Sequence, residues 1–150
     1  MPKYYKILKN SWNELLKDYV AGRFKPLAEA DIQCYLYHLC LKRIKNPSRI
    51  HAEWHKKKKR IDIMLGNEAL PIEIKWSYSG PNGKIRNRWL ADVKKLSNQF
   101  SKRKPVVVVF ITRQDKNFSL VRQKELSLYQ LKKIQKCAKK TGVRVLLPNI

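Results

Sequence analysis

The sequence predicts an α/β fold in which helices flank a mixed β-sheet. Short runs with strand character alternate with longer segments of helical periodicity, which is typical of a sheet covered by helices. One of these runs, residues 105–112, is apolar almost without interruption, as expected of a strand buried on both faces. Because 43% of the 150 residues are apolar, the chain can fill the core of one such domain.

Two helices are predicted before the first strand. Apolar residues recur at spacings of three and four over residues 4–20, which favours an amphipathic helix, and Gly22 and Pro26 end it. Residues 27–44 are apolar on nearly all sides, the pattern of a helix packed against a sheet. Asn46 and the proline that follows end this second helix.

Three strands are predicted next, over residues 49–54, 60–65 and 70–76. Gly66 and Asn67 supply turn residues between the second and third strands. These two strands are therefore expected to form a hairpin.

The second half of the chain is predicted to continue as helix, strand, helix and strand. Residues 77–89 include Gly80 and Pro81 and are predicted to form a mobile basic loop. The elements expected after this loop are a helix over 90–103, the apolar strand over 105–112, a helix over about 123–140 and a strand over 143–147. We expect one domain, with an N-terminal helical extension at 1–26, a core at 27–111 and a C-terminal helix and strand at 112–150.

The charge of the chain points to a polyanionic partner. Lys and Arg number 34 against 11 Asp and Glu, so the formal net charge is +23 at pH 7. A field of this size attracts nucleic acid first and an anionic membrane surface second, whereas acidic small molecules do not require it. No run of apolar residues is long enough to span a membrane and no secretory signal begins the chain, so an intracellular, cytoplasmic protein is expected.

The few acidic residues fall in a pattern on the hairpin. Strand alternation places Asp62 on the face opposite Ile61, Ile63 and Leu65. It also places Glu73 and Lys75 together, opposite the apolar residues of their own strand. If residues 66–69 form the loop, Asp62 lies directly across from Glu73.

Two adjacent carboxylates and an ammonium group suggest a metal-assisted reaction. Neighbouring carboxylates repel each other unless a cation lies between them, and oxygen ligands suit Mg²⁺ or Mn²⁺. Such an ion polarises a phosphoryl oxygen and helps to deprotonate a water molecule, while Lys75 is placed to orient that water or to neutralise developing charge. This is the chemistry of phosphodiester hydrolysis.

The helix predicted over 27–44 offers a further carboxylate. Helical spacing groups Glu29 with Ile32, Gln33 and Leu36, which aims Glu29 toward the sheet better than Asp31. Asp31 remains the fallback for this role. Glu53, on the first strand, is either a further ligand or, as we favour slightly, an ion-pair partner for the lysines that follow it.

These residues together resemble the PD-(D/E)xK nuclease superfamily, whose members include restriction endonucleases, Holliday junction resolvases and homing endonucleases. The resemblance covers residues 27–111 and implies a restriction-endonuclease-like αβββαβ core. It implies that Asp62, Glu73 and the backbone carbonyl of Ile74 bind Mg²⁺, for which Mn²⁺ substitutes. It further implies that Lys75 serves the attacking water and that Glu29 is the helix acid, also close to the metal. Ile61 stands where the motif has its proline, as in many members.

Basic residues near this site are candidates for DNA binding. They form a run at the turn before the second strand and a set in the predicted basic loop: Lys56, Lys57, Lys58, Lys59, Arg60, Lys84, Arg86 and Arg88. Trp76, Tyr78 and Trp89 are interleaved with them and either stack on a base or belong to the core. Asp92, Lys95 and Gln99 lie at spacings of three and four on the following helix, so one of them is a candidate to face the site, but a surface pair of Asp92 with Lys95 is favoured.

The sequence thus predicts a Mg²⁺-dependent endonuclease that cuts DNA by attack of a metal-activated water. The alternative is a non-catalytic DNA- or RNA-binding module that keeps a nuclease-like fold. Because cleavage of both strands of a duplex requires two sites, a homodimer or higher homo-oligomer is the expected assembly.

Overall fold

A computed structural model describes residues 2–77, 83–111 and 120–147, and for residues 120–127 it describes the backbone alone. Its helices and strands follow the predicted order. They are α1 (Lys3–Val20), α2 (Glu29–Leu41), β1 (Ile50–Lys56), β2 (Lys59–Leu65), β3 (Leu70–Ser77), α3 (Gly83–Gln99), β4 (Val106–Ile111), α4 (Leu120–Thr141) and β5 (Arg144–Leu146), with a short 3₁₀ turn at Pro47–Arg49.

The five strands form one mixed sheet in the order β1-β2-β3-β4-β5. β1, β2 and β3 pair antiparallel, whereas β3, β4 and β5 pair parallel through the helical crossovers of α3 and α4. The α/β fold class predicted from the sequence is therefore confirmed, and α2, β1 to β3, α3 and β4 follow the predicted order of helix, three strands, helix and strand.

Two apolar layers cover the sheet. α1 and α2 pack on one face through Trp12 and Leu36, against Ile72 and Phe110 among other buried residues. α3 and α4 pack on the other face, where Val107 lies in the second apolar cluster. Because buried side chains of α1 belong to the first cluster, the predicted N-terminal extension is part of the core.

The β2–β3 turn has the glycine that its geometry requires. Gly66 has a φ of 71°, in the left-handed region that favours glycine. A Cβ atom at this position would lie 2.6 Å from a ring carbon of Tyr4 in α1. The turn is therefore closed against the first helix, and the predicted hairpin is confirmed.

The predicted boundary of the third helix is wrong. α3 begins at Gly83, so Lys84, Arg86 and Arg88 lie on a helix and not in a loop. The buried positions Trp89, Val93 and Leu96 continue a helical period that begins before residue 90 and outweighs the turn residues. The rest of the predicted mobile loop, including Tyr78, Gly80 and Pro81, lies outside the described residues.

The prediction for Ile61 is also wrong. Ile63 and Leu65 pack with α1 and α2, but Ile61 packs with the α3 and α4 layer. The cause is a local distortion, because Glu53 on β1 has a φ of 49° while the pairs on either side of it keep one register. This distortion turns the end of the hairpin, including Trp54 opposite Ile61, toward α3.

Among the helices of the described residues, none has the length and apolar character needed to cross a membrane.

Candidate active site

The site lies where β2 and β3 separate. Their pairing runs from Leu65 with Leu70 to Ile63 with Ile72, the register predicted from the sequence. At the next position the Asp62 carboxylate accepts a hydrogen bond from the Ile74 backbone N–H, with Oδ2 and N 2.7 Å apart. A side chain therefore replaces the backbone ladder at this point, and the two strands leave a gap beside the carboxylate.

Gln33 of α2 fixes the same position from the other side. Its Nε2 donates to the backbone carbonyl of Asp62 at 3.0 Å and to Glu53 Oε1 at 2.9 Å. The sequence places Gln33 four residues after Glu29 on the same face of α2. That spacing does not indicate a bond to Asp62, because the bond depends on how α2 lies across the sheet.

Lys75 joins β3 to α3. Its Nζ lies 2.8 Å from Glu73 Oε1 and 2.8 Å from Asp92 Oδ2, and only 12% of its side chain is exposed. Burial alone lowers the pKa of Lys75, but the ion pairs with Glu73 and Asp92 outweigh it and raise the pKa above its ordinary value. Lys75 is therefore a protonated cation at neutral pH. The predicted surface pairing of Asp92 with Lys95 is wrong, since Asp92 turns toward the site.

The helix acid that reaches the site is Glu29. Its Oε2 accepts a hydrogen bond from the Trp76 backbone N–H at 3.1 Å. Asp31, the fallback, instead accepts from the backbone N–H groups of Leu27 and Ala28 at 2.7 and 3.0 Å and so stabilises the start of α2. The structure brings Glu29 to Asp62 and Glu73 and leaves Asp31 apart.

The three carboxylates of the site are held in an unfavourable charged state. Removal from water raises the pKa of Glu29, Asp62 and Glu73, and mutual repulsion adds to this rise: Glu29 acts on Asp62, Asp62 on Glu73, and Glu73 on Glu29. Lys75 lowers all three pKa values, but does not cancel the rise. A further cation would relieve the excess negative charge.

The donor set suits a hard divalent cation. Asp62 Oδ1 and Glu73 Oε2 have no hydrogen-bond partner within the described residues, so each carboxylate keeps one oxygen available. The N–H and C=O of one extended residue point to the same side of a strand, so the Ile74 carbonyl is expected to face the gap. Within the described ranges, however, no three His, Cys, Asp or Glu side chains are already grouped as a metal cage.

Glu53 is hydrogen-bonded to neighbouring side chains and is not one of the three carboxylates of the site. Its two oxygens accept from Gln33 Nε2 at 2.9 Å and from Arg60 Nη2 at 2.7 Å. Hydrogen bonds from Gln33 and Arg60 lower the pKa of Glu53. The partner role favoured from the sequence agrees with these contacts, although the partner is Arg60 and not one of the lysines before it.

The predicted DNA-binding residues lie in four settings. Arg60 lies beside Glu53 near the site. Lys56 pairs with Glu68 at 2.5 Å, and Lys59 Nζ lies 5.4 Å from the centroid of the Phe100 ring. Lys57 and Lys58 are exposed at the β1–β2 turn. The α3 residues form the fourth set: Lys84 and Arg88 are exposed, and Arg86 donates to Gln130 of α4.

The aromatic residues near the site are mostly structural. Trp89 is 6% exposed and belongs to the α3 and α4 layer, and Trp76 is half-buried against the α1 and α2 layer. Tyr78 lies outside the described residues. Of the two roles left open from the sequence, core packing applies to Trp89 and largely to Trp76.

Comparison with known proteins gives one distant structural likeness. No protein-family model matches the chain, and no curated protein matches it. The chain is similar to SfsA of Pyrococcus furiosus, solved in complex with Ca²⁺, with 13% sequence identity and a TM-score of 0.44. The similarity covers 79% of this chain and 56% of that chain, so the chain spans little more than half the length of SfsA.

Proposed function

We propose that the protein is a Mg²⁺-dependent endonuclease that hydrolyses DNA phosphodiester bonds. One observation carries this proposal: Asp62, Glu73 and Lys75, with Glu29, converge where two strands separate, in a partly desolvated site with excess negative charge. Such an arrangement costs stability, and carboxylates perturbed in this way are found mostly at functional sites.

The residues divide into two roles in this proposal. Asp62, Glu73 and the Ile74 carbonyl hold Mg²⁺, with Glu29 nearby, and Mn²⁺ substitutes for Mg²⁺. When bound, the metal supplies Lewis-acid polarisation of the phosphoryl group and a more acidic water. Lys75, held protonated by two carboxylates, orients the attacking water and neutralises negative charge that develops on the phosphoryl oxygens.

The substrate follows from the charge of the molecule. A net charge of +23 attracts a polyanion, and Lys84, Arg88, Lys57 and Lys58 are exposed and available to contact phosphates. We further propose a homodimer or higher homo-oligomer, because two sites facing the two strands are the simplest way to cut a duplex or a junction.

Cleavage of supercoiled plasmid and of a synthetic four-way junction tests the proposal. The native chain is expected to cut at least one of them in Mg²⁺ and neither in EDTA. Glu73→Ala and Lys75→Ala are each expected to lower the rate by about 10²–10³-fold. Lys132→Ala, on the exposed face of α4, is the matched control and is expected to leave the rate within about twofold.

A non-catalytic nucleic-acid-binding module is the second candidate, and one observation favours it. Lys75 Nζ already pairs with Glu73 Oε1, so part of the negative charge of the site is compensated without a metal. This candidate predicts DNA or RNA binding that is independent of Mg²⁺ and of Asp62, with no cutting under any divalent cation.

A further inference from the structure

A basic groove lies beside the candidate active site. The end of the β1–β2 hairpin, residues 54–61, forms one wall, and the last turn of α3 with the residues after it forms the other. The groove has a volume of about 460 Å³, and we call it the tip groove. Its cationic lining consists of Lys56, Lys57, Lys59, Lys102 and Arg103.

Packing fixes the walls of the tip groove. Trp54 packs against Phe100 with ring centroids 6.2 Å apart, and Phe100 is 5% exposed. Lys56 and Arg103, from opposite walls, both pair with Glu68 of the β2–β3 turn, at 2.5 and 3.4 Å. The groove is thus built on buried aromatic contacts and a bridging carboxylate.

Three lysines of the groove remain available for a ligand. Glu68 is the one acidic residue lining the groove, and it is already shared by Lys56 and Arg103. Lys57, Lys59 and Lys102 form no ion pair within the described residues, and all three are exposed. Asn98, Gln99 and Ser101 add neutral hydrogen-bonding groups to the same lining. The groove therefore offers at least three positive charges to an anion with repeated charges.

We propose that the tip groove binds the phosphodiester backbone of a single-stranded nucleic acid segment. A basic groove with an aromatic wall is how proteins hold single strands without reading their sequence. Trp54 is half-buried and gives such a segment an aromatic surface. A duplex is stiff and carries its phosphates on a convex surface, so it fits a concave groove less closely than a flexible single strand does.

The groove is close enough to extend the candidate active site. Lys59 precedes Asp62 by three residues on one strand, which limits their separation to roughly 10 Å. The next step rests on the proposed nuclease function. If that function holds, a nucleic acid strand bound in the groove continues toward the carboxylates of the site. The substrate class is then DNA that offers a single-stranded arm, a frayed end or the open strands of a junction.

Binding of labelled DNA, measured by fluorescence anisotropy in EDTA, tests this inference without any cleavage. The full chain carrying Asp62→Asn is used throughout, with a short single strand and a blunt duplex of the same sequence as probes. The groove variant combines Lys57→Gln, Lys59→Gln and Lys102→Gln. The control variant combines Lys132→Gln, Lys136→Gln and Lys139→Gln on the exposed face of α4, and it loses the same three charges.

The groove variant is expected to bind the single strand at least about tenfold more weakly, against at most about threefold for the control variant. In the groove variant, the slope of log affinity against log salt concentration is expected to decrease in magnitude by about 2, because each of the three lost phosphate contacts contributes about 0.7. In the groove variant, duplex affinity is expected to fall less than single-strand affinity. Equal loss of single-strand affinity in the two variants overturns the inference, as does a loss of duplex affinity in the groove variant that matches its loss for the single strand. Because no metal or cleavage enters this assay, its failure is distinct from failure of the nuclease proposal.

Discussion

Gln33→Met is expected to destabilise the protein and to slow DNA cleavage, because Gln33 of α2 hydrogen-bonds to the backbone carbonyl of Asp62. Methionine keeps the length and helix propensity of glutamine but removes both donors. The partly buried Asp62 carbonyl then loses its bond from Gln33, at a cost of about 1–3 kcal/mol, and the exposed contact with Glu53 adds up to about 1 kcal/mol. A total near 2 kcal/mol corresponds to a fall in Tm of about 4–8 °C for a domain of this size. Since Asp62 is displaced, the cleavage rate is expected to fall about 10–100-fold.

Urea denaturation and single-turnover cleavage measure these two effects, and Glu53→Ala is the matched control. Glu53→Ala keeps the bond between Gln33 and the Asp62 carbonyl and removes only exposed contacts, those of Glu53 with Gln33 and Arg60, so its cost is expected to stay at about 1 kcal/mol or less. A Gln33→Met protein with native stability and native rate would refute the reasoning. So would a Glu53→Ala protein that loses as much stability as Gln33→Met.

Three further predictions follow from other parts of the structure. Phe110→Ala is expected to lower the free energy of unfolding by about 3–5 kcal/mol in urea denaturation, because Phe110 is fully buried; native-like stability would contradict this. Hydrogen bonds from Tyr35 and Arg23 lower the pKa of Asp18, so the stability they confer is present above about pH 4 and is lost as pH falls through the lowered pKa. Asp18→Asn should therefore be less stable than the native chain at about pH 6, with the difference shrinking toward about pH 2, and a constant difference across this range would contradict the assignment. Asp92→Asn is expected to lower kcat about tenfold with KM within about twofold, because it loosens Lys75; a change confined to KM would contradict a positioning role.

The elements of the fold follow from local patterns and were largely predictable. The alternation in β3 places Ile72 and Ile74 against α2, and the turn at Gly66 fixes the register with β2. These signals are local, since they depend on neighbouring residues in the chain. The start of α3 was missed because turn residues near its beginning masked a helical period that continues through Trp89.

The candidate site was predictable only in part, because half of its contacts are tertiary. Asp62, Glu73 and Lys75 follow from strand alternation and hairpin register. The pairing of Asp92 with Lys75 and the contact of Gln33 with Asp62 depend on how α3 and α2 lie across the sheet. The spacing of these residues along the chain does not indicate that they are in contact.

The distortion at Glu53 was the feature least accessible from the sequence. Glu53 has a left-handed φ although it is not a glycine, so the sequence does not indicate the distortion. The end of the hairpin nevertheless turns toward α3 at this point, and Ile61 packs on the other face of the sheet. The tip groove was equally hidden, because its two walls are separated in sequence by some forty residues. The basic run at residues 56–60 was predicted to bind phosphate near the metal site. In the structure, Lys56, Lys57 and Lys59 of this run line the tip groove.

The most direct test of the proposed chemistry is the single-turnover rate of DNA cleavage by Asp62→Asn beside the native chain in Mg²⁺. Asparagine can still accept the Ile74 N–H through its side-chain oxygen, so the fold and the strand separation are expected to survive while the charge is lost. We predict a rate at least about 100-fold lower with DNA affinity retained. Cleavage by Asp62→Asn at the native rate would contradict the assignment of Asp62 and, with it, the proposed active site.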